Sequence, residues 1–327
     1  RIGNGICHQL HLEHWARPGQ TLIGGDSHTV AAGGIGMLSV GVGGFDGAMA
    51  MAGEPFFLAM PQIVRVNLVG KLPAFVSAKN IILEILRRIG VQGGVGKILE
   101  YGGPAVMTLN VAERSTITNM GQETGATTSV FPSDENTRKW LRAYHREDQW
   151  VPLSADEDAV YDETIEVDLS TLEPLIALPH SPDKVIPVRE VAGTKVDQVM
   201  MGSCTNGSLQ DLLSIAHILA GRKIHRDVDT GLYPATRTVV RESIARGAHD
   251  QIIAAGVRIF EPACGGCNGC GFAPQTGGVS LRTTPRNFLG RSGTASAEVY
   301  LVSPEVAAAS ALTGVITDPR DLGLPSF

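Results

Sequence analysis

Apolar and polar positions alternate with two different periods in the first half of the chain. In the segments Ile63–Val69 and Thr164–Leu169, apolar residues recur at about every second position, which is the period of a half-buried strand. After Ser77, a suitable N-cap, the apolar residues of the segment Ile81–Ile89 recur every three or four positions, as they do on the buried face of a helix. This half therefore predicts helices that pack on sheets.

The second half of the chain repeats an order of strand, loop and helix. Residues 174–187 hold four prolines and are predicted to form a linker. Beyond them, the apolar run Val199–Met201 predicts a strand, and the apolar spacing from Leu209 to Ala220 predicts a helix. Cys204 lies between the two, at the carboxyl end of a strand and before a helix N-terminus. Open α/β sheets bind their ligands at such places.

Four further elements extend this pattern. They are a helix over residues 235–246, a strand over 257–260, a strand over 299–302 and a helix that begins at Ser303 and Pro304. Strands that alternate with helices favour parallel pairing, because a parallel connection has to cross a face of the sheet. We therefore expect an α/β fold with mostly parallel sheets.

Composition limits the classes of protein that this chain can be. The 327 residues are 43% apolar and 18% charged, which excludes a disordered chain and allows about two domains, or three.

The net charge is −6 and Lys and Arg form no run of five, so no nucleic-acid partner is expected. The uncharged stretch Val30–Phe45 is rich in glycine and does not predict a membrane span. The chain begins without Met or a targeting leader, and we expect this start to be internal.

The five cysteines, at positions 7, 204, 264, 267 and 270, are too few and too clustered for a disulfide framework, so we expect a reducing compartment. Cys264, Cys267 and Cys270 form a C-x-x-C-x-x-C run in a glycine-rich loop, and thiolates at this spacing bind zinc or an iron–sulfur cluster. Three thiolates can hold a cubane cluster and leave one iron open, whereas the last four cysteines together can hold a structural zinc. The neighbouring glycines favour the cluster, because backbone amides can then reach its sulfides.

Polar segments elsewhere offer acid, base and anion-binding groups. Asp26, Ser27 and His28 follow two glycines, so a carboxylate can orient an imidazole there, although an ordinary Asx turn has the same sequence. Glu123 lies among small polar residues, where a carboxylate serves either acid–base chemistry or a helix cap. Guanidinium groups suit bidentate binding of carboxylates, and solvated surface arginines are the alternative. The arginines concerned are Arg282, Arg286 and Arg291, which follow the cysteine loop.

Taken together, these segments resemble the aconitase family, in order and in separation, over essentially the whole chain. The matching stretches are Gly5-Ile6-Cys7-His8-Gln9, Gly25-Asp26-Ser27-His28-Thr29, residues 119–128, Gly202-Ser203-Cys204-Thr205-Asn206, Ala263-Cys264-x-x-Cys267 and residues 286–293. The resemblance implies three-layer α/β domains with mostly parallel sheets around an iron–sulfur cluster. It implies the end of a first domain in residues 1–60, a second domain in 61–180, and a third domain with the cluster cysteines in 181–327. A mobile fourth domain is expected to be absent from this chain.

The same resemblance implies a role for each candidate residue. It implies a [4Fe–4S] cluster with one open iron, with Cys204, Cys264 and Cys267 as ligands and Asn119 and Asn206 as neighbours. The implied catalytic residues are His8, Asp26, His28 and Glu123, with proton transfer by His28 and Asp26 or by His8 and Glu123. The implied substrate-binding residues are Ser27, Arg286 and Arg291.

The implied activity is that of a hydro-lyase, which reversibly removes water from a hydroxy-polycarboxylate. We expect citrate and isocitrate as substrates, interconverted through cis-aconitate as in the tricarboxylic acid cycle, because the matching segments look closer to single-chain aconitase. Homoaconitase or the large subunit of 3-isopropylmalate dehydratase is the alternative. The fourth domain or a small subunit would come from elsewhere, so this chain alone is expected to turn over poorly. The implied location is the cytoplasm, or the mitochondrial matrix in a eukaryote.

Three features depart from the family pattern. We find neither an upstream Asp-His site nor the general-base serine of the fourth domain. Pro285 stands where the family usually has Asn, which removes a side-chain hydrogen bond near the cluster. Cys270 occupies a position that is normally not cysteine, so a non-catalytic protein with a cluster closed by four cysteines is a further alternative. RNA binding by a cluster-free form is disfavoured by the acidic charge.

Overall fold

The structure is a computed structural model, and it describes residues 3–325. Its strands are β1 (Thr21–Gly24), β2 (Leu38–Gly41), β3 (Gln62–Val69), β4 (Lys97–Gly102), β5 (Thr128–Val130), β6 (Glu163–Asp168), β7 (Leu175–Ala177), β8 (Val185–Pro187), β9 (Gln198–Gly202), β10 (Asp229–Tyr233), β11 (Arg258–Ile259), β12 (Val279–Arg282) and β13 (Glu298–Val302). Its α-helices are α1 (Cys7–His14), α2 (Gly44–Met51), α3 (Ala78–Ile89), α4 (Val111–Gly121), α5 (Glu135–Ala143), α6 (Ser203–Asn206), α7 (Leu209–Leu219), α8 (Arg237–Ala245), α9 (Ala248–Ala255) and α10 (Pro304–Thr313). The chain divides into two compact units.

The first unit, residues 11–72 and 89–171, contains two parallel sheets. The larger sheet has the strand order β5-β4-β3-β6, and the smaller sheet pairs β1 with β2. Along β3 the side chains of Val64, Val66 and Leu68 are buried, and the residues between them are half-buried. The strands predicted from the alternation of apolar residues are confirmed as β3 and β6.

A 3₁₀ helix, Ser27–Ile35, packs closely against α4 in the first unit. A Cβ atom at Gly34 would lie 2.6 Å from the backbone nitrogen of Ser115, so only glycine allows this close approach. Thr118 on α4 donates a hydrogen bond through Oγ1 to the carbonyl of Ala31 at 3.0 Å. These contacts fix the distance between the 3₁₀ helix and α4.

The second unit comprises the described residues up to Leu10, residues 73–88 and those from Leu172 onward. Its seven-stranded sheet has the order β11-β10-β9-β12-β13-β7-β8, and the first five of these strands run parallel. All five residues of β9, in the middle of the sheet, are buried. Burial of a strand on both faces is typical of a parallel sheet that is covered by helices. The predicted strands and helices of this half are confirmed as β9, α7, α8, β11, β13 and α10.

The prediction of a linker at residues 174–187 is wrong, because this segment is part of the sheet. β7 and β8 form an antiparallel pair, and β7 also pairs with β13. All three residues of β7 are buried, and the N–H of Leu175 donates to Oδ1 of Asn80 at 2.8 Å. The prolines lie before β7, between the two strands and at the end of β8. At these positions proline is tolerated, because its missing N–H removes no essential hydrogen bond from the sheet.

The architecture confirms the expected α/β fold with mostly parallel sheets. The division into three domains at residues 60 and 180 stays a prediction. None of the residues of α2 is buried, and large apolar side chains between Phe45 and Met60 are exposed, so this segment adds little to a core. Within residues 3–325, no helix combines the length and the apolar character that a bilayer crossing requires.

Candidate functional site

The candidate residues of the second unit follow strands that end at one edge of the sheet. Because β9, β10, β11 and β12 run parallel, their carboxyl ends lie at the same edge. Cys204 follows β9, Cys264 and Cys267 follow β11, and Arg286 follows β12. The predicted position of Cys204, between a strand and a helix, is confirmed. This edge is where parallel α/β sheets bind ligands.

The turn that carries Cys204 has an unusual backbone. Gly202 has a φ of 96°, and a Cβ atom there would overlap the last carbonyl oxygen of β10, so this position requires glycine. Ser203 has a φ of 91°, a left-handed conformation that strains a residue with a side chain. Cys204 is buried, and its carbonyl accepts a hydrogen bond from Nε2 of Gln9 at 2.8 Å. Backbone strain of this kind is typical of functional sites.

The loop with the other cysteines is held by a buried arginine. Arg282, on β12, is fully buried, and its guanidinium donates to the carbonyls of Gly266 and Phe272, each at 2.8 Å. It also donates to Oε1 of Gln198 on β9 at 2.8 Å. Burial lowers the pKa of Arg282 to about 10, so the group stays charged at neutral pH. The cysteine loop is thus fastened to the two central strands.

Three of the thiols lie close enough to interact. A hydrogen bond with Cys264 and burial raise the pKa of Cys267 well above its usual value, and repulsion from the neighbouring Cys204 adds to this rise. Such a group of soft sulfur donors suits an iron–sulfur cluster or zinc, so the residues present fit a cluster that is held by three thiolates. Cys270 is exposed, and its backbone N–H donates to the carbonyl of Gly265 at 2.9 Å.

The two arginines that the resemblance assigns to substrate differ in exposure. Arg286 is half-buried, whereas Arg291 is exposed. The backbone on both sides of Arg286 is fixed. Before it, Oγ1 of Thr283 donates to the carbonyl of Gly202 at 2.9 Å. After it, Nδ2 of Asn287 donates to two backbone carbonyls, at 2.7 and 3.0 Å.

The first unit places an imidazole between two carboxylates. Nε2 of His28 lies 3.0 Å from Oε1 of Glu123, and Nδ1 of His28 lies 3.6 Å from Oδ1 of Asp26. Asp26 is also the N-cap of the 3₁₀ helix and accepts the backbone N–H of His28 at 2.8 Å. His28 and Glu123 are buried, and Asp26 is exposed. The carboxylate of Asp26 therefore forms an Asx turn and also lies beside the imidazole of His28.

The other candidates are distributed over both units. In the first unit, Asn119 is fully buried on α4 and Ser27 is half-buried at the start of the 3₁₀ helix. In the second unit, Asn206 is buried, and its Nδ2 donates to Oδ1 of Asp211 at 3.1 Å. His8 is buried on α1. Of the two predicted pairs, His28 with Asp26 is seen within the first unit, where His28 also binds Glu123.

Two buried charged side chains of the second unit differ from what the sequence predicts. The sequence groups Arg282 with arginines that suit carboxylate binding, but it donates hydrogen bonds to backbone carbonyls. Lys79 is fully buried on α3. A signal for Lys79 was available, because it stands three, four and seven positions before Ile82, Leu83 and Leu86 and so lies on the apolar face of the helix.

Comparison with known proteins identifies the family. Residues 1–194 and 189–314 match the Aconitase family (aconitate hydratase). The 3-isopropylmalate dehydratase large subunit 2 of Archaeoglobus fulgidus is 43% identical over 320 residues, which are 98% of this chain and 77% of that protein. The large subunit 1 of Thermotoga maritima is 43% identical over 321 residues, 97% of this chain and 77% of that protein. The large subunit 2 of Rubrobacter xylanophilus is 40% identical over 97% of this chain and 75% of that protein.

These matches change the expected substrate. Citrate and isocitrate, and with them the tricarboxylic acid cycle, are not supported, because the relatives are named as 3-isopropylmalate dehydratases. A solved structure, Thermococcus kodakaraensis aconitase X in its holo-form, has a TM-score of 0.46 and 16% identity over 82% of this chain and 61% of that chain. That similarity is too weak to carry an argument. The family match and the identity to the dehydratases show that the chain belongs to the aconitase family and is a hydro-lyase.

Proposed function

We propose that this chain acts as the large subunit of a 3-isopropylmalate dehydratase, which reversibly removes water from a hydroxy-dicarboxylate. The observation that carries the proposal is its 40–43% identity, over almost the whole chain, to proteins of that name. Each unit adds chemical support by itself, since the second offers a group of thiols and arginines and the first offers an imidazole between carboxylates. A dehydration of this type needs a group that takes a proton next to a carboxylate and a group that helps hydroxide to leave.

We propose a [4Fe–4S] cluster, with one open iron, as the cofactor. Cys204, Cys264 and Cys267 would hold it, because the thiol of Cys267 interacts with those of both Cys204 and Cys264 at the sheet edge. When bound, such a cluster supplies a Lewis-acidic iron for the substrate hydroxyl and a carboxylate. The thiols bind as thiolates, and the raised pKa of Cys267 means that loading releases protons at neutral pH. The charged guanidinium of Arg282, bonded to the loop, would stabilise these thiolates.

His28 is the proposed acid–base group. Glu123 binds Nε2 at 3.0 Å, which fixes the ring and favours a proton on that nitrogen. The Nδ1 edge faces Asp26 at 3.6 Å, which is too long for a hydrogen bond. A doubly protonated His28 would pass one ring proton to the departing hydroxyl and return to the neutral imidazole, with the exposed Asp26 beside it. Positioned proton transfer of this kind contributes typically about 10²- to 10⁴-fold in rate.

Arg286 and Arg291 are the proposed binders of the substrate carboxylates. A guanidinium forms two parallel hydrogen bonds with a carboxylate, which fixes both its position and its orientation. The fixed backbone beside Arg286 supports this role, because a preformed site loses less entropy when substrate binds. A small subunit is the proposed partner, since the relatives are named as large subunits.

The test is a hydratase assay on the assembled enzyme. The chain would be loaded anaerobically with iron and sulfide, combined with the small subunit of the same organism, and supplied with 3-isopropylmalate, cis-aconitate or homoaconitate. We expect turnover of 3-isopropylmalate that depends on iron and sulfide, with at least tenfold lower kcat/KM for the other two acids. A preference for cis-aconitate or homoaconitate would overturn the substrate assignment. Absence of turnover with all three would overturn the enzymatic proposal.

A further inference from the structure

A lysine buried in the second unit contacts the segment that leads to the proposed substrate arginine. Lys79, on α3, has no exposed surface. Its Nζ donates to the carbonyl of Thr283 at 3.0 Å and to the carbonyl of Thr284 at 2.9 Å. Burial of an ammonium group is costly unless hydrogen bonds and nearby charges compensate for the lost water. A fully buried lysine that binds two consecutive carbonyls therefore points to a specific role.

The two carbonyls belong to a segment with two functional neighbours. Thr283 is joined to β9 twice, since its N–H donates to the carbonyl of Met200 at 3.1 Å and its Oγ1 donates to the carbonyl of Gly202 at 2.9 Å. Gly202 begins the strained turn that carries Cys204. On the other side, Thr284 is followed by Pro285 and then by Arg286. The ammonium of Lys79 thus binds the backbone that connects the turn of Cys204 with Arg286.

An acid on α7 provides a compensating charge for Lys79. Asp211 is half-buried and interacts electrostatically with Lys79. Asp211 also accepts hydrogen bonds from Ser208 at 2.6 Å and from Asn206 at 3.1 Å. Asn206 ends the short helix that carries Cys204. The charge pair therefore connects α3 to the cysteine turn a second time, through α7.

We propose that Lys79 is a positioning residue, whose ammonium holds the backbone before Arg286 so that this guanidinium meets a substrate carboxylate. The inference rests on the proposed function, because it takes Arg286 as a substrate-binding group. The carbonyls of Thr283 and Thr284 would otherwise lie buried without this donor, and the segment would shift to satisfy them. A shift of about 1 Å in a substrate anchor is enough to lower the rate about 100-fold.

The neighbouring residue offers a matched control. Asn80 is also fully buried on α3, but its Oδ1 accepts the N–H of Leu175 on β7 and does not bind the carbonyls of Thr283 and Thr284. Lys79→Met and Asn80→Leu each remove a buried polar group and keep the approximate size of the side chain. Both variants are expected to lower the melting temperature, so stability alone does not separate a positioning role from a structural one.

The experiment compares both variants in the loaded, assembled enzyme. For Lys79→Met we expect KM for 3-isopropylmalate to rise about 10- to 100-fold, with a smaller change in kcat and an unchanged visible absorption of the cluster. For Asn80→Leu we expect KM to change less than threefold. Equal effects of the two variants on KM, or no effect of Lys79→Met, would overturn the proposal.

Hydrogen exchange keeps the inference separate from the proposed function. Amide exchange in residues 283–286 should be at least tenfold faster in Lys79→Met than in wild type, and unchanged in Asn80→Leu, whether or not the protein turns over any acid. Lys79→Arg keeps the positive charge beside Asp211 and serves if Lys79→Met fails to fold. It should show the same increase in exchange and in KM to a smaller degree. Wild-type exchange in this segment for both Lys79 variants would overturn the anchoring role.

Discussion

The two units hold their functional candidates in different ways. In the second unit, cysteines and arginines follow the ends of parallel strands, and buried cations, Arg282 and Lys79, bind the backbone carbonyls of the loops that carry them. In the first unit, one side-chain contact joins His28 to Glu123 across 95 residues of sequence. The proposed cluster site therefore depends on backbone anchors, whereas the proposed acid–base group depends on a side-chain contact between segments that are distant in sequence. Substitutions should therefore have different consequences in the two units.

Loss of a thiol should have the largest effect. Cys204→Ser is expected to abolish the visible absorption of the loaded cluster and to lower activity more than about 100-fold, because loss of a ligand costs more than loss of an outer-shell partner. Iron content and kcat/KM are the measurements. Cys270→Ser is the matched control and should keep both within twofold. If Cys270→Ser instead loses the cluster as Cys204→Ser does, the closed four-cysteine alternative is favoured.

Loss of the acid–base pair should have the next largest effect and should leave the cluster intact. Glu123→Gln keeps the shape of the side chain but removes the charge that orients His28, and kcat should fall about 10²- to 10⁴-fold. Iron content should stay at the wild-type level, which is the contrast with the cysteine variants. His14→Asn, at an exposed histidine of the same unit, is the control and should have no effect. Wild-type kcat in Glu123→Gln would rule out the proposed pair.

Loss of a backbone anchor in the second unit should have an intermediate effect on both stability and loading. Arg282→Met removes hydrogen bonds to Gly266 and Phe272 and should lower the free energy of unfolding by about 3 kcal/mol. The loaded cluster should also be lost to a chelator about 10- to 100-fold faster. Arg226→Met, at an exposed arginine, is the control. Equal rates of iron loss in the two variants would show that the loop does not need its anchor.

Loss of the exposed carboxylate beside His28 should have the smallest effect. Asp26→Asn retains a side-chain oxygen that can cap the 3₁₀ helix, so stability should change by less than about 0.5 kcal/mol. Activity should fall about tenfold, less than for Glu123→Gln, because Nδ1 of His28 lies beyond hydrogen-bond distance from Asp26. Thermal unfolding and kcat provide the measurements. A loss as large as that of Glu123→Gln would make Asp26 the principal partner of the imidazole.

Much of the fold could be predicted from the sequence, because β3, α3, β9 and α7 have clear apolar periods. The hairpin of β7 and β8 could not, since strands of three residues are too short to show a period and prolines surround them. The position of Cys204 followed from its place between a strand and a helix. The contact of His28 with Glu123 and the burial of Lys79 depend on tertiary packing, which no local pattern contains.

The substrate could not be predicted from the matching motifs for a chemical reason. The motifs contain thiols, an imidazole with carboxylates, and arginines, which suit a cluster, a substrate hydroxyl and substrate carboxylates. A hydroxyl and carboxylates are common to citrate, homocitrate-type acids and isopropylmalate. Residues such as Cys204, His28 and Arg286 therefore do not distinguish these three substrates. Discrimination rests on the contacts of the variable substituent, and only the identity over the whole chain favoured the isopropylmalate branch.

We propose that three cysteines hold a cluster whose remaining iron is open to a hydroxy-dicarboxylate. The decisive measurement is iron spectroscopy of the loaded protein with and without 3-isopropylmalate. We expect the acid to change the signal of one iron in four, and Cys270→Ser to show the same change. An unchanged signal in a protein with a full complement of iron would instead indicate a closed cluster.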